Sequence, residues 1–211
     1  MDSDSKARNP AITDLRLDAF GYNRVVLVLT GSAVTQVMPY WIEWARVSAP
    51  ETEFRVIARE SAYTFTTRHN IESRLRSHVQ DDRWDDEIIA SHVELAEWAD
   101  LILVYPATLD YVSRLAHGIT DSPSLLAALS TDAQVCIAPA LPPRTWGRAV
   151  VMETFRLLRQ PENFIVIDPT PGPSESSDSA PAWIPPPMPE VLRRLEAHRS
   201  RDARRAAPRS A

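Results

Sequence analysis

The chain has 211 residues, 44% apolar and 24% charged, with a net charge of −5 and a single cysteine, Cys136. Its length suits one domain of about 150–200 residues with extensions, and one cysteine excludes an intrachain disulfide framework. No run of about 18 apolar residues is there to cross a bilayer, and the polar start MDSDSKARNPAITD does not read as a secretory signal, so a cytoplasmic protein without membrane contact is expected.

The charge is unevenly spread: residues 190–211 carry seven arginines against three acids, which leaves the first 189 residues at −9. An acidic body argues against nucleic-acid binding, and the basic end alone reads as a solvated segment. The five histidines and one cysteine show neither His-x3-His nor Cys-x2-Cys spacing, so no metal site is expected.

Taken in chain order, residues 1–22 read as a flexible N-terminal segment. RVVLVLT (24–30) is an apolar, β-branched strand running into Gly31-Ser32 and a helix, with Pro39 expected to kink or split that helix. A helix start after Gly-Ser is a potential phosphate cradle, although such a turn is common. EFRVIA (53–58) is the second strand, followed by a loop and an amphipathic helix. LILVY (101–105) is continuously apolar, as a parallel strand covered on both faces must be; Pro106 is expected to stop it and Thr108 to cap the next helix. AQVCIAPA (133–140) and FIVID (164–168) repeat the strand signal around the helix GRAVVMETFRLLRQ.

Five strands alternating with helices predict an α/β fold, a Rossmann-like or flavodoxin-like three-layer αβα sandwich with a parallel sheet, over residues 23–168. Ligands of such sheets bind at the carboxyl ends of the strands. From 169 to 211 the expectation is a Pro-rich, partly disordered tail with a short Arg-rich helix, because nine of the eighteen prolines fall there.

Four stretches carry more specific information. These are TGSAVTQVMP from Thr30, RESAYTFT from Arg59, HVELAEWADLILVYPATLDYVSRLAHGITD from His92, and APALPPRTW from Ala138. Together they resemble the flavin-dependent cysteine decarboxylase family, which includes phosphopantothenoylcysteine decarboxylases and the lantibiotic-type enzymes that oxidatively decarboxylate a peptide's C-terminal cysteine. The resemblance covers residues 24–168.

It implies FMN at the strand ends, held by Gly31, Ser32, Ser61, Phe65, Pro106, Ala107 and Thr108. It implies a catalytic His92, whose near-neutral imidazole suits proton transfer, and a substrate site around Asp110, Arg144 and Trp146. The reaction implied is oxidation of a cysteine to a thioaldehyde, which loses CO2 to give an enethiol. The implied partners are a cysteine-terminated precursor peptide and further copies of the chain, as a trimer or dodecamer.

The sequence departs from the family pattern where Asp110 and Pro142 replace asparagines, and Arg144 is expected to hold the substrate carboxylate that Pro142 cannot. The segment after the last strand has no cysteine, which favours the peptide-modifying branch over phosphopantothenoylcysteine decarboxylation. A non-catalytic flavoprotein subunit is the remaining alternative. Taken without the resemblance, His92 reads as a cap or surface residue, and Trp98 and Trp146 as packing aromatics.

Overall fold

The structure is a computed structural model and describes residues 17, 20–84, 91–174 and 179–206. Six strands form one parallel sheet: β1 (Arg24–Leu29), β2 (Glu53–Ala58), β3 (Val79–Asp81), β4 (Leu101–Thr108), β5 (Gln134–Ala140) and β6 (Phe164–Val166), in the order β3-β2-β1-β4-β5-β6. The order reverses at β1 and β4, where a crevice opens at the carboxyl ends of the strands.

Helices cover both faces. They are α1 (Met38–Ser48), α2 (Arg68–Leu75), α3 (Ser91–Trp98), α4 (Leu109–Ala116), α5 (Pro123–Ser130), α6 (Ala149–Leu158) and α7 (Met188–Ala206), with short 3-10 turns at Ala33–Val37 and Glu60–Thr64. Alternate residues of β1 go to opposite layers. Val25, Leu27 and Leu29 pack with Met38, Ile42 and Leu192 on one face, and Val26 and Val28 pack with Leu95, Val112 and Leu125 on the other. This is why β1, β4 and β5 read as unbroken apolar runs instead of alternating ones. At the opposite end of the sheet, the Asp100 carboxylate accepts from the Asn23 and Arg24 amides at 3.0 Å each. It thereby ties the start of β1 to the start of β4.

Several sequence expectations change. Pro106 does not stop its strand: β4 continues to Thr108 across a register shift between Val104 and Ala107. The missing Pro106 N–H is accommodated where the ladder is already irregular. Pro39 does split its helix, because it stands in the first turn of α1 behind the 3-10 turn, where its absent donor costs nothing. The sixth strand, β3, has three residues, VQD, only one of them buried, so it carries no apolar run to read.

Both ends of the chain also take part in the core. Leu17, Phe20 and Tyr22 are buried, so the flexible segment expected over residues 1–22 does not include them; residues 1–16, 18 and 19 lie outside the described residues. Beyond 168, β7 (Thr170–Gly172) and β8 (Ala182–Ile184) pair antiparallel as a hairpin. Helix α7 then runs 19 residues and buries Met188, Val191, Leu192 and Leu195. The arginine-rich segment therefore has an apolar stripe at helical spacing, and that stripe docks it on the sheet. Residues 175–178 and 207–211 lie outside the described residues. Among the described residues, no helix is long and apolar enough to cross a membrane, and no group of metal-ligating side chains occurs.

Candidate functional site

Strand β1 ends at Leu29, and the next residue, Thr30, is wholly buried and organises the strand ends. Its hydroxyl donates to the Pro106 carbonyl at 2.6 Å and accepts from the Thr108 amide at 3.1 Å, while its own carbonyl accepts from the Thr35 hydroxyl at 2.6 Å. The turn after β1 and the end of β4 are thus locked together. Ser32 caps the 3-10 turn through the Val34 amide, and Thr108 caps α4 through the Tyr111 amide. Two helix starts, each with N–H groups that no intrahelical acceptor satisfies, converge on one crevice.

Gly31 stands between them, and its requirement is steric. A Cβ there would lie 2.6 Å from Ser61 Cβ and 2.7 Å from Ser61 Oγ. The close approach expected at this glycine is therefore made by the loop after β2. The Ser61 hydroxyl has no hydrogen-bond partner among the described residues.

The crevice is a cleft of about 730 Å³, within the range of about 300–1,000 Å³ typical of small-ligand sites. Its floor and one wall come from Gly31–Val34, Tyr105, Thr108–Asp110 and Ala140–Pro142, and Phe65 and Trp41 close its sides. The β7–β8 hairpin and the prolines behind it form the roof, through Pro173, Ile184, Pro185 and Pro187. The hairpin is pinned at two points. Leu141 and Trp183 exchange backbone hydrogen bonds of 2.7 and 3.0 Å, and the Tyr105 hydroxyl donates to the Pro186 carbonyl at 3.0 Å. Burial pushes the Tyr105 phenol far above its usual range, so it remains a donor at any physiological pH.

Among the described residues, Asp110 is the one charged side chain lining this cleft. The Arg114 Nε donates to both of its carboxylate oxygens, at 2.9 and 3.0 Å, and Arg59 Nη1 stands 3.8 Å away. Asp110 also borders a second, polar hollow of about 860 Å³ lined by Arg59, Ser61, Arg68, Asp81, Asp82 and Arg83, among others. Within that hollow the Asp82 side chain is fully buried. It accepts from the Ser122 hydroxyl at 2.9 Å and from the Ser124 amide and hydroxyl at 2.9 and 2.8 Å, and Arg59 Nε is 4.0 Å from it. Nearby, burial raises the Tyr63 phenol to about 12.

Of the expected cofactor residues, Gly31, Ser32, Phe65 and Thr108 line the cleft. Pro106 and Ala107 are buried in β4 beneath it, and Ser61 lies on the adjoining hollow against Gly31. Of the expected substrate residues, Asp110 lines the cleft, whereas Arg144 and Trp146 are not among its lining residues. Arg144 is exposed, has a positive φ of 64°, and donates to the Ser179 hydroxyl at 3.4 Å. Trp146 stacks between Phe155 and Trp183, with ring centroids 5.3 and 5.7 Å away, and so supports the roof. His92 begins α3 outside the cleft. Its ring meets the edge of Trp84 at 5.4 Å, and its Nδ1 is buried without a hydrogen-bond partner among the described residues.

The sequence reading gave no role to Thr30, Arg59, Asp82 or the hairpin. Thr30 could have been found, since it directly precedes Gly31-Ser32. Asp82 could not, because its three donors come from residues about forty positions away.

A family model described as Flavoprotein matches residues 18–187. Among curated proteins, the cypemycin cysteine dehydrogenase (decarboxylating) of a Streptomyces species is 35% identical over 116 residues, 54% of this chain and 61% of that protein. The coenzyme A biosynthesis bifunctional protein CoaBC of Bacillus subtilis is 32% identical over 120 residues, 56% of this chain and 29% of that protein. Both matches span less than two thirds of the relative's length. The crystal structure of the cypemycin decarboxylase CypD superposes with a TM-score of 0.70 at 26% identity, over 88% of this chain and 98% of that one. The FMN-dependent cysteine decarboxylase SpaF superposes with a TM-score of 0.69 at 22% identity, over 84% and 97%, which is a likeness of fold.

Proposed function

The chain belongs to the flavoprotein family, and from that premise we propose that it binds FMN and oxidatively decarboxylates the C-terminal cysteine of a precursor peptide to an enethiol. The observation that carries this reading is the cleft itself, which is apolar along most of its length and polar where Gly31, Ser32 and Thr108 meet. That division suits a flat ring system joined through a polyol to a phosphate. The side chains present fit the group: the Ser32 and Thr108 helix starts offer N–H donors, the Ser61 hydroxyl is unengaged, and Phe65, Trp41 and Tyr105 give the cleft aromatic surface. Bound there, the flavin supplies the hydride acceptance on which an oxidative decarboxylation depends.

The chain's own residues do the rest. The hairpin covers one side of the cleft, and a ligand that displaces water beneath it strengthens the electrostatic interactions there. His92 is read as the proton-transfer group. Because it lies outside the cleft of its own chain, we assign it to the cleft of a second copy, which makes a homo-oligomer, trimeric or larger, part of this reading. The exposed Trp84 and Val93 beside it supply apolar surface for such a contact. Arg144 is read as acting on the substrate carboxylate from the loop that it ties to Ser179.

The similarity to the coenzyme A protein makes phosphopantothenoylcysteine the second substrate to consider. The lone cysteine weighs against it. Cys136 is wholly buried in β5, where burial raises its thiol far above the usual range, and the hairpin region contains no other. No thiol is therefore placed to reduce the product, so the enethiol is expected as the end of the reaction, with an external oxidant such as oxygen recycling the flavin.

The cofactor half of the proposal is tested by purifying the protein and denaturing it. A yellow protein that releases FMN and no FAD is expected, and a colourless protein that takes up no added FMN contradicts it.

A further inference from the structure

Among the described residues the cleft has no cation on its lining; the one charge there is Asp110. A phosphate ester seated at the Gly31 end therefore needs its counter-charge from outside that lining, and the polar hollow on the far side of Ser61 supplies a candidate. Arg59 leaves the end of β2 and is largely buried, with its side chain 19% exposed. It lines the same hollow as Ser61, whose hydroxyl has no hydrogen-bond partner among the described residues, and Ser61 is the residue packed against Gly31.

Arg59 is incompletely used. It stands 4.0 Å from Asp82 and 3.8 Å from Asp110, beyond hydrogen-bond length in both cases, and its buried Nη1 has no hydrogen-bond partner among the described residues. Neither carboxylate depends on it for hydrogen bonds. Asp82 accepts three from Ser122 and Ser124, and Asp110 is gripped at both oxygens by Arg114. A guanidinium shared by two carboxylates that are satisfied elsewhere is free to turn to a third anion. A planar group with five donors can do so without leaving the first two.

We propose that Arg59 binds the phosphate of FMN, together with the Ser61 hydroxyl and the turn at Gly31, and so makes the site select FMN over riboflavin. This rests on the reading that the cleft holds FMN. It adds a residue to that reading, and it explains how an acidic cleft rim tolerates a phosphate: Arg114 keeps Asp110 neutralised while Arg59 is drawn to the ligand.

The test is equilibrium titration of the flavin-stripped full chain with FMN and with riboflavin, followed by flavin fluorescence. Wild type is expected to bind FMN at least about a hundredfold more tightly than riboflavin, as the loss of a charge-assisted phosphate contact implies. Arg59→Lys should keep most of that ratio. Arg59→Met combined with Asp82→Asn removes the buried cation and its buried counter-charge together, so that neither is stranded. That double variant should bring the ratio to within about tenfold of unity while riboflavin affinity stays within about threefold of wild type.

An unchanged FMN-to-riboflavin ratio in the double variant overturns the assignment. So does a parallel fall in both affinities, which would mark Arg59 as a structural support. Failure of the wild type to bind either flavin would remove the FMN reading itself, and that outcome is distinct from both.

Discussion

The cleft and the hollow beside it share Asp110 and meet at Gly31 and Ser61, yet they differ in chemistry. The cleft is built where parallel strands end and a Pro-rich hairpin covers them, and among the described residues it carries one charge. The hollow is built from the loops after β2 and β3 and gathers three arginines with Glu60, Asp81, Asp82 and Asp110. The difference separates two tasks that conflict in one place. An apolar, water-poor cavity suits a neutral ring and strengthens every dipole aimed at it, but it would leave charges poorly solvated. Charges that must be buried are better kept next door, in a network of opposite charges, and presented to the cleft only at its rim.

The largest effect expected lies in neither region. If His92 of a second copy transfers the proton, His92→Asn should lower turnover by about two to four orders of magnitude while the protein stays yellow. Single-turnover kinetics with the flavin absorbance recorded alongside checks this, and a colourless His92→Asn protein would make the histidine part of the cofactor pocket. Next in size is the charged network. Asp82→Ala strands Arg59 and three donors, which should lower stability by about 3–5 kcal/mol in urea unfolding. Asp110→Asn, at the exposed rim, should change it by less than about 1 kcal/mol. Equal losses at the two positions would erase the distinction drawn between hollow and cleft.

The seam between the regions is tested by Gly31→Ala. A methyl group set against Ser61 Cβ at 2.6 Å must displace one of the two loops. By the cost of overpacking this should weaken flavin binding by about five- to a hundredfold, read by flavin-fluorescence titration. The smallest effect is expected at the hairpin. Arg144→Ala loses an exposed contact to Ser179 and should raise KM by about three- to tenfold with kcat held, the signature of lost binding alone. A fall in kcat of the same size would place Arg144 in the chemistry instead.

What could be read from the sequence follows the same division. Strands β1, β4 and β5, the turn at Gly31-Ser32 and the cap at Thr108 were legible because each is local: an apolar run, a glycine and a hydroxyl one step before a helix. Phe65 and Asp110, which line the cleft, came from the family resemblance. The Arg59–Asp82 network was not, because its members come from β2, β3, α4 and α5, and burial of a charge leaves no mark in a linear pattern. The hairpin was hidden for a different reason. Its strands have three residues each and stand among prolines, so composition pointed to disorder while pairing with Leu141 and the Tyr105 hydroxyl bond supply the order. Helix α7 looked polar because its arginines outnumber the four apolar residues that dock it.

The central claim is that this cleft, loaded with FMN, removes CO2 and two hydrogens from a peptide's C-terminal cysteine. The most direct measurement is mass spectrometry of cysteine-terminated peptides after incubation with the flavin-loaded protein in air, with C-terminally amidated peptides as the control. The account predicts a product lighter by CO2 plus two hydrogens from the free acid and no change in the amide. Loss of CO2 without the two hydrogens, or turnover of phosphopantothenoylcysteine with every peptide left intact, would contradict it.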